Sequence, residues 1–337
     1  MTAKGIKIAA TLGLLVALVW WADAGAVWNR MRTVDLGWVA IAIAAISMAT
    51  LLMARRWQHV ARRCGIDMSY PIALGEYYVA QMGNAVLPGG VAGDVARAVR
   101  VRRLGSLKQA VKSIIVERLL GQIAMLTLMG VSFAVALAVP GGLAWPAWSW
   151  AGVIGLAAAG AALIWFQRGP VSVGRFSAFV FGLCRQPVVV LLSLLIAGCL
   201  LLAFYASARA TGTLIPPAAW TTLIPLILCA MLVPLSVGGW GWREGAAAAL
   251  FPLIGASADA GIATGIVYGS VILVATLPAG LFLLGTYGLA DRFDPRTRAR
   301  HDTAHSSDSP FFPSDRSIGV RHSGDGPARA CGQSSTG

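Results

Sequence analysis

From residue 187 to residue 207 the chain reads PVVVLLSLLIAGCLLLAFYAS, twenty-one residues without a charge. At 1.5 Å of rise per residue, a helix of this length matches the roughly 30 Å hydrocarbon core of a bilayer. Comparable runs recur at about 6–21, 38–54, 114–139, 148–166, 218–233 and 262–284. Hydrophobic residues make up 57% of the 337 and charged residues 12%, where a soluble domain carries about 25% charge. Inside lipid every backbone polar group must be paired within the chain, which leaves helices as the spanning form for such runs. The expected fold is an all-α integral membrane protein, a polytopic bundle of helices.

The charges that remain set the orientation. The net charge is +13, yet no soluble basic domain with interleaved aromatics is present. Nucleic acid is therefore not an expected partner, and the arginines read as markers of cytoplasmic loops. Arg55, Arg56, Arg62, Arg63, Arg97, Arg100, Arg102, Arg103, Lys108 and Lys112 mark one such region, and Arg168, Arg175 and Arg185 a second. The tail carries Arg292, Arg296, Arg298 and Arg300. It joins them on the cytoplasmic side only if the short apolar run after Glu244 also crosses, which makes eight crossings. Residues 1–288 are thus the expected membrane domain. Residues 289–337, rich in Ser, Asp, Gly, Pro and Arg, are expected as a disordered cytoplasmic tail.

The first apolar run has two readings. The small residues Ala22 and Ala24 after it suit a signal-peptide cleavage site. Trp20 and Trp21 suit the interfacial belt of a retained anchor, which is the preferred reading. Residues 23–36 read as a loop, and VSVGRFSAFVFGL, 171–183, as an interfacial helix.

Two segments break the hydrophobic pattern in the same way. NAVLPGGVAGDVAR holds Asn84, Pro88, Gly89, Gly90, Gly93, Asp94 and Arg97. VPLSVGGWGWREG holds Pro234, Gly238, Gly239, Gly241, Arg243 and Glu244. Proline and glycine end a helix, and an acid and an arginine follow where a new one would begin. The first break reads as a hairpin that dips into the bilayer and returns as a basic helix from Asp94. A helix starting inside a membrane presents N–H groups and a positive dipole end to an anion. Glycine permits close approach, and the arginine fork matches phosphate oxygens. The plainer alternative is two tight turns closed by local Asp94–Arg97 and Arg243–Glu244 ion pairs. Glu117 and Arg118, at the start of the third run, fit either a site or snorkelling interfacial charges. Tyr77, Tyr78, Gln81 and Asn84 share helical spacing, with aromatic anchoring the preferred use.

Familiar catalytic patterns are missing. No lysine follows Gly93 as a phosphate loop requires, and neither G-x-S-x-G nor H-E-x-x-H occurs. Ser236 reads as a helix-end hydroxyl. Three of the four histidines lie in the tail, so neither a metal nor another cofactor is expected. Five cysteines without a C-x-x-C give no disulfide framework.

NAVLPGGVAGDVAR, then VERLL, then PLSVGGWGWRE, together resemble the lysylphosphatidylglycerol synthase transmembrane-region family, also called flippase-like domain proteins. The resemblance covers about residues 5–288. It implies about eight helices with two re-entrant segments, in a bacterial inner membrane, and movement of anionic or modified lipids between leaflets. The lipid would be an anionic phospholipid or a polyprenyl-linked or hopanoid-type one. Lipid-synthesis enzymes and a second copy of the chain are the candidate protein partners. Two-domain members carry a soluble aminoacyltransferase domain after the membrane part; none follows within this sequence, so lysyl transfer is not expected. A membrane transferase using Asp94 or Glu117 as base, and a scaffold for lipid synthesis, are the alternative functions. By the resemblance, the headgroup-binding positions are Asn84, Pro88, Gly89, Gly90, Gly93, Asp94, Arg97, Glu117, Arg118, Gly238, Gly239, Gly241, Arg243 and Glu244.

The orientation is open to test. With both termini cytoplasmic, a cysteine introduced at Leu143 is expected to label from outside intact cells, and one at Gly105 is not. The reverse pattern would overturn the topology.

Overall fold

The computed structural model describes residues 23–87, 90–138, 171–231 and 237–280, with Gly13, Val16, Ala17, Trp20 and Phe282 besides. The rest of the expected first span, the span at 148–166, the loop at 140–145 and the tail lie outside these residues, as do Pro88, Gly89 and Pro234. The regular elements of the described residues are all helices. Four are long and apolar enough to cross a membrane: Leu36–Arg63, Leu107–Ala136, Pro187–Ala210 and Ala258–Gly280.

The stretch expected as a loop at 23–36 contains a helix, α1 (Ala24–Arg32). Asp23 starts it, its carboxylate accepting the Gly25 and Ala26 N–H groups at 2.9 and 3.4 Å. Asp35 starts α2 (Leu36–Arg63) in the same way through Gly37 and Trp38. A short acceptor ahead of the first turn satisfies donors that have no helical partner. Helix α2 does not end near Ala54 as the charges suggested. No glycine or proline interrupts it between Gly37 in its first turn and Gly65, and Arg62 and Arg63 favour the negative end of its dipole.

Next come α3 (Tyr70–Val86) and α4 (Ala92–Val101), the two arms of the expected hairpin, and then α5 (Leu107–Ala138). Helix α6 (Val171–Cys184) precedes α7 (Pro187–Ala210). The sixth apolar run is not one helix. It divides into α8 (Pro217–Trp220) and α9 (Leu223–Ala230). Pro225 explains the division: it has no N–H for the Thr221 carbonyl, and its ring crowds that group. Beyond the second glycine cluster, α10 (Trp242–Leu250) has nine residues, about 14 Å of helix, and a 3₁₀ turn follows at Phe251–Ile254. That helix alone does not reach across a bilayer core. The last described helix is α11 (Ala258–Ala275).

Small side chains hold these helices together. Between apolar surfaces in lipid the hydrophobic drive is weak, so close packing and interhelical hydrogen bonds decide association. Helix α2 lies along α7, burying Ala42, Ala45 and Ala49 on one side and Ser193, Ala197 and Ala203 on the other. Helix α11 turns a stripe of Gly261, Gly265 and Gly269 toward α10. A Cβ at Gly261 would stand 2.5 Å from the Ala247 carbonyl, and one at Gly265 3.0 Å from the Glu244 side chain. At Gly269 it would strike the Arg243 guanidinium and the Trp240 ring. This stripe at intervals of four, missed in the sequence, is the familiar small-residue docking pattern.

Gly261→Val and Gly269→Val are therefore expected to lower stability in detergent by about 1–3 kcal/mol each, from overpacking. Gly198→Ala, in α7 with open space beside it, should leave melting unchanged or raise it. Equal melting of all variants would show that the stripe does not seat α10.

Candidate functional site

The first break is built by residues that lock α3 onto α4. Helix α3 ends after Val86, and Gly90 turns with φ +64°, a conformation that suits glycine. The Asn84 side chain then reaches across, accepting the Gly93 N–H at 2.9 Å and donating to Asp94 at 3.3 Å. A Cβ at Gly93 would collide with the Ala80 carbonyl, so that glycine exists for helix contact. At the far end Arg100 closes the hairpin on Glu76 at 2.6 Å.

Around this hairpin lies a network of buried charge. Arg97 is 1% exposed, bonds Asp94 at 3.0 Å and lies over the Trp57 and Tyr77 rings at 4.4 and 4.7 Å. Asp94 takes a second arginine, Arg118 of α5, whose side chain is 43% exposed. Its neighbour in the chain, Glu117, is 2% exposed and accepts from Arg56 at 2.8 Å and from the Tyr77 hydroxyl at 3.3 Å. Arg56 continues to Ser193 of α7 at 3.0 Å. Desolvated charges persist only when paired and hydrogen-bonded this closely. Among the described residues, the buried Nε atoms of Arg56 and Arg97 nonetheless remain without a partner, as does Arg100 Nη2 at the hairpin's far end.

The second break turns at Gly238, Gly239 and Gly241, with φ of +56°, +80° and +86°. A Cβ at Gly238 would stand 2.7 Å from the Ala85 carbonyl, so the two breaks touch each other. Glu244 reaches back to the Gly241 N–H at 2.7 Å and fixes the start of α10. The same carboxylate holds Arg243, which also lies over the Trp240 and Tyr268 rings at 4.9 and 5.6 Å. At 1% and 0% exposure, Arg243 and Glu244 form a closed pair.

Where the breaks meet there is a cavity of about 360 Å³. This is within the range of sites that hold small molecules or headgroups. Arg56, Asp94, Arg97, Glu117 and Arg118 charge its wall, and Gln81, Asn84 and Gln122 add neutral polar groups. The other side is apolar, with Met53, Met125, Ile196, Leu200, Met231 and Ile272. Of the residues singled out in the sequence, Asn84, Gly90, Asp94, Arg97, Glu117, Arg118, Gly238 and Gly239 face it. Gly93, Gly241, Arg243 and Glu244 stand behind the wall. Tyr77 is no surface anchor: it is buried, with its ring under Arg97 and its hydroxyl on Glu117. Gln81, with it, lines the cavity and bonds Thr50 at 3.0 Å.

Arg56 is the residue that sequence reasoning missed. It was read with Arg55 as a helix-end charge, yet it is 3% exposed and Arg55 is exposed. A signal existed in the apolar stripe Ala54, Trp57 and Ala61, which continues the buried face of α2 past the arginines. Gly121 supports the placement, since a Cβ there would lie 3.0 Å from the Arg56 guanidinium.

Comparison with known proteins agrees with this architecture. A 140-residue stretch, 40% of the chain, is 22% identical to the UPF0104 membrane protein PH1989 of Pyrococcus horikoshii and covers 42% of that protein's length. The model of the family described as the lysylphosphatidylglycerol synthase TM region matches residues 6–280, which include both broken segments, α5 and the cavity between them. This membrane protein belongs to the lysylphosphatidylglycerol synthase transmembrane-region family.

Proposed function

We propose that this protein translocates an anionic or modified lipid between membrane leaflets, its headgroup passing through the cavity while the acyl chains stay in lipid. One observation carries this reading: two glycine-broken segments meet at a single cavity walled by three arginines on one side and by apolar side chains on the other. Paired interruptions of this kind mark substrate sites in transporters. Charges at membrane depth are costly and are kept where they act. The half-polar, half-apolar wall suits a molecule with a charged head and a hydrocarbon body. Arg118, exposed on its outer side and tied to Asp94 on the inner, is the first arginine a phosphate would meet. Arg97, its guanidinium packed over the tilted Trp57 and Tyr77 rings, would be a second.

The decisive assay is leaflet accessibility of a headgroup-labelled anionic lipid in vesicles containing the purified protein. Wild-type protein should speed exchange between leaflets. Charge-assisted hydrogen bonds contribute roughly 1.5–3 kcal/mol each, so Arg118→Gln and Arg97→Ala should each slow exchange about tenfold to a hundredfold. Gly90→Val should do the same, since it strains a left-handed turn at the cavity wall. Arg55→Ala should change little. Equal exchange in every variant, or a lipid whose mass changes on incubation, would defeat the proposal.

A further inference from the structure

A desolvated ammonium is held most strongly by a free carboxylate or an aromatic face, the groups that offset its charge. Residues 1–288 contain eight carboxylates, and the stretches outside the described residues in that range contain none. Asp23 and Asp35 are taken by the starts of α1 and α2. Asp67, Glu76 and Asp259 pair with Arg62, Arg100 and Arg30, away from the cavity. Asp94, Glu117 and Glu244 are each held by an arginine, and Asp94 by two. Every carboxylate of the membrane part is engaged.

Among the described residues, the aromatic faces near the cavity are engaged too. Trp57 and Tyr77 stack on the Arg97 guanidinium, and Trp240 and Tyr268 on that of Arg243. An incoming ammonium would meet guanidinium groups where it needs a π-face. The cations show the opposite condition. Three arginines and two carboxylates charge the wall, a surplus of one positive charge (3 − 2). Arg56 and Arg97 each keep an unpartnered buried N–H beside it.

From this we infer that the cavity selects a lipid whose headgroup carries phosphate and no ammonium, and rejects an aminoacylated one. The inference rests on the lipid-translocation reading for the identity of the cargo and adds its chemical class. Phosphate supplies the missing negative charge and accepts from Arg118. A lysyl ester brings two positive charges to a wall that already holds one in excess, and like-charge contact in a desolvated site is strongly unfavourable.

Equilibrium binding tests this without requiring transport. The full-length protein in nanodiscs of neutral lipid would be titrated with phosphatidylglycerol and with lysyl-phosphatidylglycerol, with bound lipid read by native mass spectrometry. Phosphatidylglycerol should bind at least about tenfold more tightly, and Arg118→Gln should remove most of that margin. Gln122→Glu, which places a new carboxylate on the wall, should also narrow it while leaving the fold intact. Equal or tighter binding of the lysyl lipid overturns the selectivity, as does binding of neither. Displacement of phosphatidylglycerol by glycerol 3-phosphate at matching concentrations would overturn it as well, by showing a site for soluble phosphate esters. Selective binding without leaflet exchange would uphold the selectivity and remove the transport reading. Exchange of both lipids at one rate would do the reverse.

Discussion

Asp94 bonded to two arginines is the interaction on which the rest of the site depends. One partner, Arg97, lies on the same short helix, and the other, Arg118, comes from a long membrane-length helix. A carboxylate in this position ties the re-entering hairpin to the bundle by charge as well as by packing. Removing it would leave two guanidinium groups facing each other in a poorly solvated place, an outcome far costlier than the loss of one hydrogen bond. Trp57 and Tyr77 pack against Arg97, and the Tyr77 hydroxyl links that cluster to the Arg56–Glu117 pair.

The two breaks are alike in sequence and unlike in chemistry. In the first, acid and arginine are three residues apart on a helix, which leaves the acid free to take a second partner from another helix. In the second they are adjacent, the arginine folds directly onto the acid, and the pair closes behind Trp240. The first break makes the charged wall. The second makes a bend that supports it, with Gly238 pressed on the backbone of Ala85. Glycine accordingly serves two ends here, an open left-handed turn at Gly90 and close backbone contact at Gly93 and Gly238.

Much of this was legible in the linear chain. Apolar runs of membrane length and the interruptions at Pro88–Gly90 and Gly238–Gly241 are local patterns, and local patterns survive without coordinates. Asp94, Arg97, Glu117 and Arg118 could be nominated because charge in an apolar run is conspicuous. Arg56 could not, because nine other arginines and lysines share residues 55–112 with it and only its partners Glu117 and Ser193, far along the chain, distinguish it from Arg55. Tyr77 was misjudged for a related reason: a tyrosine near a helix end has the same composition signal whether it faces headgroups or a guanidinium. The break between α8 and α9 was written in Pro225, whose effect on Thr221 is local, but hydropathy alone passes over it.

A carboxylate with two cations has a consequence for how a site empties. When an anion arrives it can take Arg118 while Asp94 keeps Arg97, so arrival exchanges one partner for another and leaves no ion bare. Departure reverses the exchange. If the proposed phosphate binds here, Asp94 keeps a partner in both the occupied and the vacant state. A carrier needs this condition, since a site that holds its cargo too well becomes a trap and one that strands its own charges when vacant would collapse.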